Sequence, residues 1–495
     1  MGEPDGNFIV PGVQGAIPYR RVGGTELVLD AYVQRGGDAR PGVVVIHGGG
    51  FRAGSRVAFV GQLLETLTRA GLNWFAIDYR LGGPERHAEA LDDARAALAF
   101  VRCHAGRFRT DPQRLAVLGE DTGGTLAALL AAEKPEGLRA AVMVGAVYSA
   151  AGAPLPPPRV PALIVHGSAD TEVPPSHAAA YYDASRPAGV LCTYDLVEGA
   201  IHRPENWRPA QWGYKARLAR WLHRNLGLER SDHKPYDSAL LHKDLLYDPQ
   251  RGLRLDAYVP PGDGPFPAVV LVHGGGWEAG DKVTYVTPLF APLARAGLAW
   301  FSIDYRLTPD VRHPEQMDDL RRAVAWVRAH AGRFRVDPTR LAVVGESASG
   351  QMAALLATED RELAGVVSFY GVYDFPALVT DPSPRSLLRR LFGRETLDED
   401  ARAVLARYSP ITRVHANMPP MLLVHGTNER LWAQGQAMRD RLAAVGAPHE
   451  LVALDGAPHG MESWEGRPEW SGYRKTVVDW LARTLRAPRT RRETR

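Results

Sequence analysis

Residues 341–350 read LAVVGESASG, and this stretch decides the fold. Its apolar run, residues 341–344, is short and does not alternate with polar residues, as expected of a parallel strand that is buried on both faces. Small residues surround Ser347, and residues 351–358 then have a helical pattern. A strand that turns tightly into a helix is typical of α/β folds, and this turn presents the Ser347 hydroxyl at a helix N-terminus.

The sequence around this turn belongs to a longer pattern that occurs twice. The strings LDAYV at 29–33 and HGGG at 47–50 recur 226 positions later, at 255–259 and 273–276. A repeat of this length is far longer than a solenoid repeat, so each copy is predicted to be a whole domain.

Each copy alternates predicted strands with predicted helices. Residues 43–46 and 269–272 are short apolar runs rich in valine, whereas residues 92–104 and 318–330 place apolar residues at helical spacing. We therefore predict an α/β protein with two tandem domains, each a mostly parallel sheet flanked by helices.

A polar segment marks the boundary between the copies. Residues 227–236 are charged, contain a proline and follow an amphipathic helical pattern. We predict a first domain at 1–229, a second domain at 230–488 and a solvated basic tail at 489–495.

The second copy is longer than the first. The string VHG at 165–167 recurs at 424–426, which is 259 positions later, so a net insertion of 33 residues lies between about Tyr373 and Pro419. The insertion has helical spacing at 386–392 and 398–406. Two interpretations stay open, a lid over the site and a helical excursion at the surface.

Ser347 requires a base before it can act as a nucleophile, because a serine hydroxyl is weakly nucleophilic until its proton is removed. Two later residues supply the remaining parts in the order serine, acid, histidine. His459 in GAPHG would accept the proton, and Glu429 would orient the imidazole and stabilise its charged form.

HGGGW at 273–277 follows a predicted strand and leaves backbone N–H groups unshielded by side chains. The expected donors to a developing oxyanion are the N–H groups of Gly275, Gly276 and Ala348. In the nearby string DYRL, Asp304 and Arg306 are interpreted as a structural ion pair.

Taken together, HGGG, DYRL, GESASG and the late histidine resemble the HGGG-bearing branch of the α/β-hydrolase fold. This branch comprises carboxylesterases similar to hormone-sensitive lipase and bacterial feruloyl-esterase-like acyl hydrolases. The resemblance covers nearly the whole chain, twice. It implies cleavage of a carboxylic ester by water through an acyl-enzyme, with no cofactor and no metal. Ser349 departs from the family's usual glycine, and Glu429 departs from its usual aspartate.

The first copy keeps this pattern except at the nucleophile. Asp121 stands where the second copy has Ser347, whereas Asp170 and His202 occupy the acid and base positions, and Gly49 and Gly50 the oxyanion loop. The favoured interpretation is an inactive copy, in which Asp121 pairs with His202 and places negative charge where the oxyanion would develop. The alternative is an aspartate nucleophile, as in epoxide hydrolases and haloalkane dehalogenases, but the copy has no room for the cap domain of those enzymes.

Composition limits the partners. The net charge is +3 with both signs spread along the chain, which disfavours nucleic acid, and no apolar run is long enough to cross a membrane. We expect a cytoplasmic protein with a small-molecule ester as substrate and an intramolecular contact between the two domains. The oligomeric state is left open.

The leading prediction is a serine carboxylic-ester hydrolase whose C-terminal domain is active and whose N-terminal domain is accessory. An acyltransferase, or a formamidase or amidase, would use the same triad. A small-ligand-binding protein without catalysis is the alternative from another class.

Overall fold

The computed structural model describes residues 9–36, 38–150, 152–228, 240–379 and 387–486. The chain divides into two compact units. Unit 1 comprises Met1–Tyr236 with Glu465–Arg467, and unit 2 comprises Asp237–Trp464 with Pro468–Arg495. The predicted boundary after residue 229 and the basic tail at 489–495 lie outside the described residues.

Unit 1 contains, within its described residues, one eight-stranded sheet in the order β1-β2-β4-β3-β5-β6-β9-β10 and a separate pair of two-residue strands, β7 and β8. The strands are β1 (Val13–Val22), β2 (Thr25–Tyr32), β3 (Arg40–Ile46), β4 (Asn73–Ile77), β5 (Thr110–Glu120), β6 (Leu138–Val144), β7 (Ser149–Ala150), β8 (Ala153–Pro154), β9 (Ala162–Gly167) and β10 (Cys192–Val197). The helices are α1 (Gly61–Arg69), α2 (His87–Cys103), α3 (Thr122–Glu133), α4 (Pro175–Ser185) and α5 (Gly213–Leu226).

Unit 2 contains, within the part of it that is described, an eight-stranded sheet in the order β11-β12-β14-β13-β15-β16-β17-β18. The strands are β11 (Leu241–Asp248), β12 (Leu253–Tyr258), β13 (Phe266–Val272), β14 (Ala299–Ile303), β15 (Val336–Glu346), β16 (Gly365–Phe369), β17 (Met421–Gly426) and β18 (His449–Leu454). The helices are α6 (Thr287–Arg295), α7 (Glu315–Ala329), α8 (Ala348–Ala357), α9 (Phe375–Leu378), α10 (Leu387–Phe392), α11 (Glu399–Arg407), α12 (Trp432–Ala444) and α13 (Tyr473–Thr484).

The two sheets follow the same plan. In each, the first two strands pair antiparallel and join the sheet antiparallel to its next strand, and the other pairs are parallel. Every residue of β4 and of β14 is buried, because helices cover both faces of a parallel sheet. The predicted α/β fold with mostly parallel sheets flanked by helices is confirmed.

One predicted ion pair is wrong. Arg306 does not bind Asp304; its guanidinium is held by Asp319, with N–O distances of 2.8 to 3.1 Å, and by Glu315 at 2.7 Å. Asp304 instead accepts a hydrogen bond from the backbone N–H of Lys282 at 2.9 Å. The helix α7 places Asp319 against the Arg306 guanidinium, so Arg306 pairs with this helix and not with its neighbour in the chain.

The predicted insertion contributes α9, α10 and α11 to unit 2. These helices bury apolar side chains in the unit's core, including Phe375 and Phe392, whose rings lie 5.1 Å apart. Phe375 also packs 5.7 Å from Trp277, the residue that follows the HGGG glycines, and Arg390 forms an ion pair with Glu278. The insertion is therefore packed against the loop that follows β13.

Candidate active site

Ser347 lies in the turn between β15 and α8, with φ 54° and ψ −115°. A positive φ in a residue with a side chain costs about 1–3 kcal/mol, and such conformations concentrate at functional sites. The turn is tight, since a Cβ on Gly345 would lie 2.1 Å from the carbonyl oxygen of Ser349. The predicted strand–turn–helix arrangement therefore exists and projects Ser347 from the carboxyl end of a central strand.

Ser349, the departure from the family pattern, has a structural use. Its side chain is fully buried; its Oγ donates to the carbonyl oxygen of Val272 at 2.6 Å and accepts from the N–H of Glu346 at 2.9 Å. The corresponding residue of unit 1 is Gly123, where a Cβ would lie 2.2 Å from the carbonyl oxygen of Ile46. In unit 2, the serine hydroxyl ties the turn to the end of β13.

The structure brings Ser347, His459 and Glu429 together. Ser347 Oγ lies 2.9 Å from His459 Nε2, and His459 Nδ1 contacts Glu429 Oε2. Ser347 follows β15, Glu429 follows β17 and His459 follows β18, so all three side chains lie at the carboxyl ends of strands of the same sheet. The arrangement is that of a nucleophile, a base and an acid that orients the base.

Glu429 is held by a second histidine that the sequence analysis did not single out. Glu429 Oε1 lies 2.9 Å from His425 Nδ1, and the Nε2 of His425 lies 3.3 Å from the hydroxyl of Tyr373. In unit 1 the corresponding histidine approaches its acid through the other ring nitrogen: His166 Nε2 lies 3.1 Å from Asp170 Oδ2 and 2.9 Å from the carbonyl oxygen of Val173. The available signal was the histidine of the repeated VHG string, four positions before the acid in both copies.

Charges around Glu429 keep it ionised. Burial raises the pKa of the Glu429 carboxyl, but hydrogen bonds from His425 and His459 more than offset that effect and leave the pKa below its usual range. Burial lowers the pKa of His425, which therefore stays neutral. An ionised Glu429 can stabilise positive charge on His459.

The loop after β13 is held in a fixed shape by its own backbone and by Tyr305. Gly275 and Gly276 have φ of 89° and 64°, and a Cβ on Gly275 would lie 2.3 Å from the carbonyl oxygen of Ala279. The Tyr305 hydroxyl donates to the carbonyls of His273 and Gly274, each at 3.1 Å. The rings of Tyr305 and His273 stack with their centroids 4.4 Å apart. The loop is thereby preorganised.

Two of the three predicted oxyanion donors of unit 2, the N–H groups of Gly275 and Gly276, have no backbone acceptor within residues 240–379 and 387–486. Ala348, the third predicted donor, is the first residue of α8, where helical N–H groups point outward from the helix end. Burial lowers the pKa of His273 to about 4, so this ring is neutral beside the loop.

Unit 1 fills the same loop with a carboxylate. Asp121 has φ 50° and ψ −120°, close to the values at Ser347. Its Oδ2 accepts from the N–H groups of Gly49 at 2.9 Å and Gly50 at 3.0 Å, while its Oδ1 lies 3.5 Å from His202 Nε2. His202 Nδ1 lies 2.8 Å from Asp170 Oδ2.

Two carboxylates hold His202 in its charged form. Burial by itself would lower the pKa of His202, but hydrogen bonds and charge from Asp121 and Asp170 raise it to about 10. Burial is likewise overcome at Asp121, whose pKa is lowered by His202 and by the N–H groups of Gly50 and Gly49. A protonated imidazole cannot accept a proton, so His202 is not a base at neutral pH. The His202 side chain is 7% exposed, whereas that of His459 is 38% exposed.

The described residues also bear on two other classes of site. They contain no group of three histidine, cysteine or acidic side chains arranged to hold a metal ion. No helix within the described ranges combines the length and apolar character needed to cross a membrane.

The chain is similar to a protein family and to several esterases. The BD-FAE family model matches residues 29–144 and 255–442, together more than half of the chain. The probable carboxylic ester hydrolase LipM of Mycobacterium tuberculosis is 32% identical over 189 residues, which cover 35% of this chain and 44% of LipM. Esterase LipC of the same organism is 32% identical over 199 residues, or 37% of this chain and 49% of LipC.

The chain thus spans about half the length of these curated relatives. Carboxylesterase NlhH of Mycobacterium tuberculosis is 28% identical over 41% of this chain and 70% of NlhH. Among solved structures, an esterase of Pyrobaculum calidifontis matches with a TM-score of 0.42 and 25% identity, covering 48% of this chain and 82% of that chain.

Proposed function

The chain belongs to the BD-FAE family, and from that premise we propose that unit 2 is a serine carboxylic-ester hydrolase. The observation that carries the proposal is the contact of Ser347 Oγ with His459 Nε2 at 2.9 Å, with Glu429 on the opposite ring nitrogen. The esterases among its relatives support the same chemistry.

The first half of the reaction forms an acyl-enzyme. His459 Nε2 takes the proton of Ser347 Oγ as that oxygen attacks the ester carbonyl carbon, and the carbonyl oxygen becomes an oxyanion. The N–H groups of Gly275, Gly276 and Ala348 are the proposed donors to this oxyanion. When the intermediate collapses, the bond to the alcohol oxygen breaks and His459 returns the proton to the leaving alcohol.

The second half repeats these steps with water. His459 removes a proton from a water molecule, whose oxygen attacks the acyl carbon. Collapse of the second intermediate releases the carboxylic acid and returns the proton to Ser347 Oγ. Glu429 stays ionised throughout and stabilises the imidazolium that forms twice in each cycle, because its pKa is held below its usual range.

The insertion is proposed to form one wall of the substrate site. Its Phe375 contacts Trp277, and its Arg390 pairs with Glu278, so it packs on the residues that follow the oxyanion glycines. Replacing Arg390 with alanine is expected to lower kcat more than it changes KM, since the loop would lose a support. An unchanged kcat would mean that the Arg390–Glu278 ion pair does not support the oxyanion loop.

A fluorophosphonate probe tests the proposed nucleophile. Intact-protein mass after labelling is expected to show one adduct, located on the peptide that contains Ser347, and Ser347→Ala is expected to remove both the adduct and turnover of small p-nitrophenyl esters. Ser471→Ala provides a control serine substitution in the same unit. Ester turnover that survived Ser347→Ala would overturn the proposal.

The same residues would serve transfer of the acyl group to an alcohol, or cleavage of a formamide or amide. Acyl transfer to a competing alcohol leaves a new ester, whereas hydrolysis leaves the carboxylic acid. Cleavage of a formamide or amide is recognised by the amine that it releases. A protein that only binds ligands is less well supported, since nucleophile, base and acid stand within hydrogen-bond distance in unit 2.

For unit 1, we propose an accessory role without turnover. Both oxygens of Asp121 are engaged, one by Gly49 and Gly50 and the other by His202. This arrangement disfavours Asp121 as a nucleophile, because an attacking oxygen would first have to leave two hydrogen bonds or the imidazolium. The cytoplasmic location and a direct contact between the domains remain expectations.

A further inference from the structure

We propose that Asp121 is an internal inhibitor of an acyl-transfer site in unit 1 that lacks only its nucleophile, because the Asp121 carboxylate stands at the nucleophile position and occupies the oxyanion hole of that unit. The proposal does not depend on the activity of unit 2. It assigns to unit 1 a preorganised site for negatively charged oxygen that Asp121 fills; once Asp121 is replaced, small carboxylates and acyl-transfer intermediates are the ligand classes that it would take.

The oxyanion hole of unit 1 is defined by the atom that fills it. Two backbone N–H groups, from Gly49 and Gly50, converge on Asp121 Oδ2 at 2.9 and 3.0 Å, distances typical of good hydrogen bonds to a charged oxygen. The two glycines have φ of 100° and 65°, close to the 89° and 64° of their counterparts Gly275 and Gly276. Unit 1 thus has the loop shape of unit 2 and displays an anion bound in it.

The histidine that would serve as the base of unit 1 once Asp121 is replaced is also in place. His202 Nδ1 lies 2.8 Å from Asp170 Oδ2, and Asp170 Oδ1 accepts from the N–H groups of Val173 at 2.8 Å and Glu172 at 3.0 Å. The acid is therefore fixed to its own loop and holds the imidazole. The Nε2 of His202 faces Asp121, as the Nε2 of His459 faces Ser347.

The backbone at position 121 already suits a nucleophile. Its φ and ψ of 50° and −120° compare with 54° and −115° at Ser347. Position 121 thus differs from position 347 in its side chain while sharing its backbone shape. One carboxylate replaces the hydroxyl, fills the hole and adds a second negative charge beside His202.

The first test places the substitution Asp121→Ser in the full-length chain that also carries Ser347→Ala. Labelling with a fluorophosphonate is expected to give one adduct, on the peptide that spans residue 121. The Ser347→Ala parent is expected to remain unlabelled, and adding His202→Ala to the double variant is expected to remove the adduct, because the base is lost. A folded double variant without an adduct would overturn the proposal.

The second test removes the carboxylate without supplying a nucleophile. In the full-length Ser347→Ala chain, Asp121→Ala is expected to open the hole to a small carboxylate, so sodium acetate should raise Tm relative to sodium chloride of equal ionic strength. The parent that keeps Asp121 should show a smaller rise, because acetate could then enter only the oxyanion site of unit 2. An equal acetate effect in both chains would contradict the proposal.

Loss of the unit 1 fold in both Asp121 variants would also overturn the proposal, since the site would then not exist without its carboxylate. These outcomes are separate from those of the proposed function. An adduct at position 121 in the double variant together with an unlabelled wild-type chain would support this inference and reject Ser347 as the nucleophile of unit 2.

Discussion

The sites of unit 1 and unit 2 have a similar backbone shape, but they differ in the charge of the side chain that faces the histidine and the glycine loop. In unit 2, an uncharged hydroxyl faces His459, and the N–H groups of Gly275 and Gly276 have no backbone acceptor within the described ranges. In unit 1, Asp121 places a carboxylate against both the glycine N–H groups and His202. The carboxylate at this one position binds two backbone N–H groups and the imidazole of His202, whereas the hydroxyl of unit 2 contacts only its histidine.

The comparison also explains why burial alone does not decide the state of a histidine. His202 is nearly buried and yet has a pKa raised to about 10, because two carboxylates face its two nitrogens. His425 is buried next to one carboxylate, and its pKa is lowered. Two carboxylates together overcome the effect of burial on the pKa of His202, whereas burial outweighs the single carboxylate beside His425.

The largest expected difference between the units comes from removing the histidine in each. His459→Ala is expected to lower kcat for small p-nitrophenyl esters by about 10⁴- to 10⁶-fold, because the base and the final proton donor are lost. His202→Ala should leave the same turnover within a factor of about two, since a protonated imidazole contributes no base. Comparable losses in the two variants would mean that unit 1 takes part in the reaction.

The acids provide a smaller contrast. Glu429→Gln is expected to lower kcat by about 10²- to 10⁴-fold, because an amide cannot accept hydrogen bonds from both His425 and His459 in the tautomer that catalysis requires. Asp170→Asn in unit 1 is the matched control and should leave kcat unchanged. Steady-state kinetics of both variants, with circular dichroism to verify folding, decide the point.

The charge on His202 predicts a pH dependence of the stability of unit 1. Because folding raises the pKa of His202 from about 6.5 to about 10, its contribution to the free energy of unfolding is complete below the unfolded value and is lost as pH rises through about 10. The difference in urea unfolding between the wild type and His202→Ala should therefore shrink between pH 6.5 and 10. A constant difference over that range would argue against a charged His202.

Ser349 is expected to have the smallest effect. Ser349→Ala removes the hydrogen bond to the carbonyl oxygen of Val272 and should lower the free energy of unfolding by about 1–2 kcal/mol, with a modest fall in kcat as the turn loosens. Glycine is compatible with this turn, since Gly123 stands at the matching position of unit 1. Comparing Ser349→Gly with Ser349→Ala therefore separates the loss of the Cβ from the loss of the hydrogen bond. No change in stability would show that the hydroxyl has no structural use.

Much of the fold follows from local pattern. The valine-rich runs at 43–46 and 269–272 form strands because β-branched apolar residues suit a sheet that is covered on both faces, and both runs lie inside observed strands. The predicted ion pair between Asp304 and Arg306 was wrong because it depends on tertiary contacts and not on local pattern. Which carboxylate reaches Arg306 depends on how α7 docks, and a string of four residues contains no information about that docking.

The sequence by itself determined that the chain repeats, that each repeat alternates strands and helices, and that Ser347 and Asp121 occupy equivalent turns. These conclusions need only the periodicity and spacing of residues, because local steric and hydrophobic preferences decide whether such a pattern forms a strand or a helix. The tertiary structure alone decided that His425 braces Glu429, that Ser349 ties its turn to Val272, and that Asp121 rests on Gly49 and Gly50. Such contacts join residues far apart in the chain, and their distances are set by packing of strands and loops rather than by any property of the local sequence.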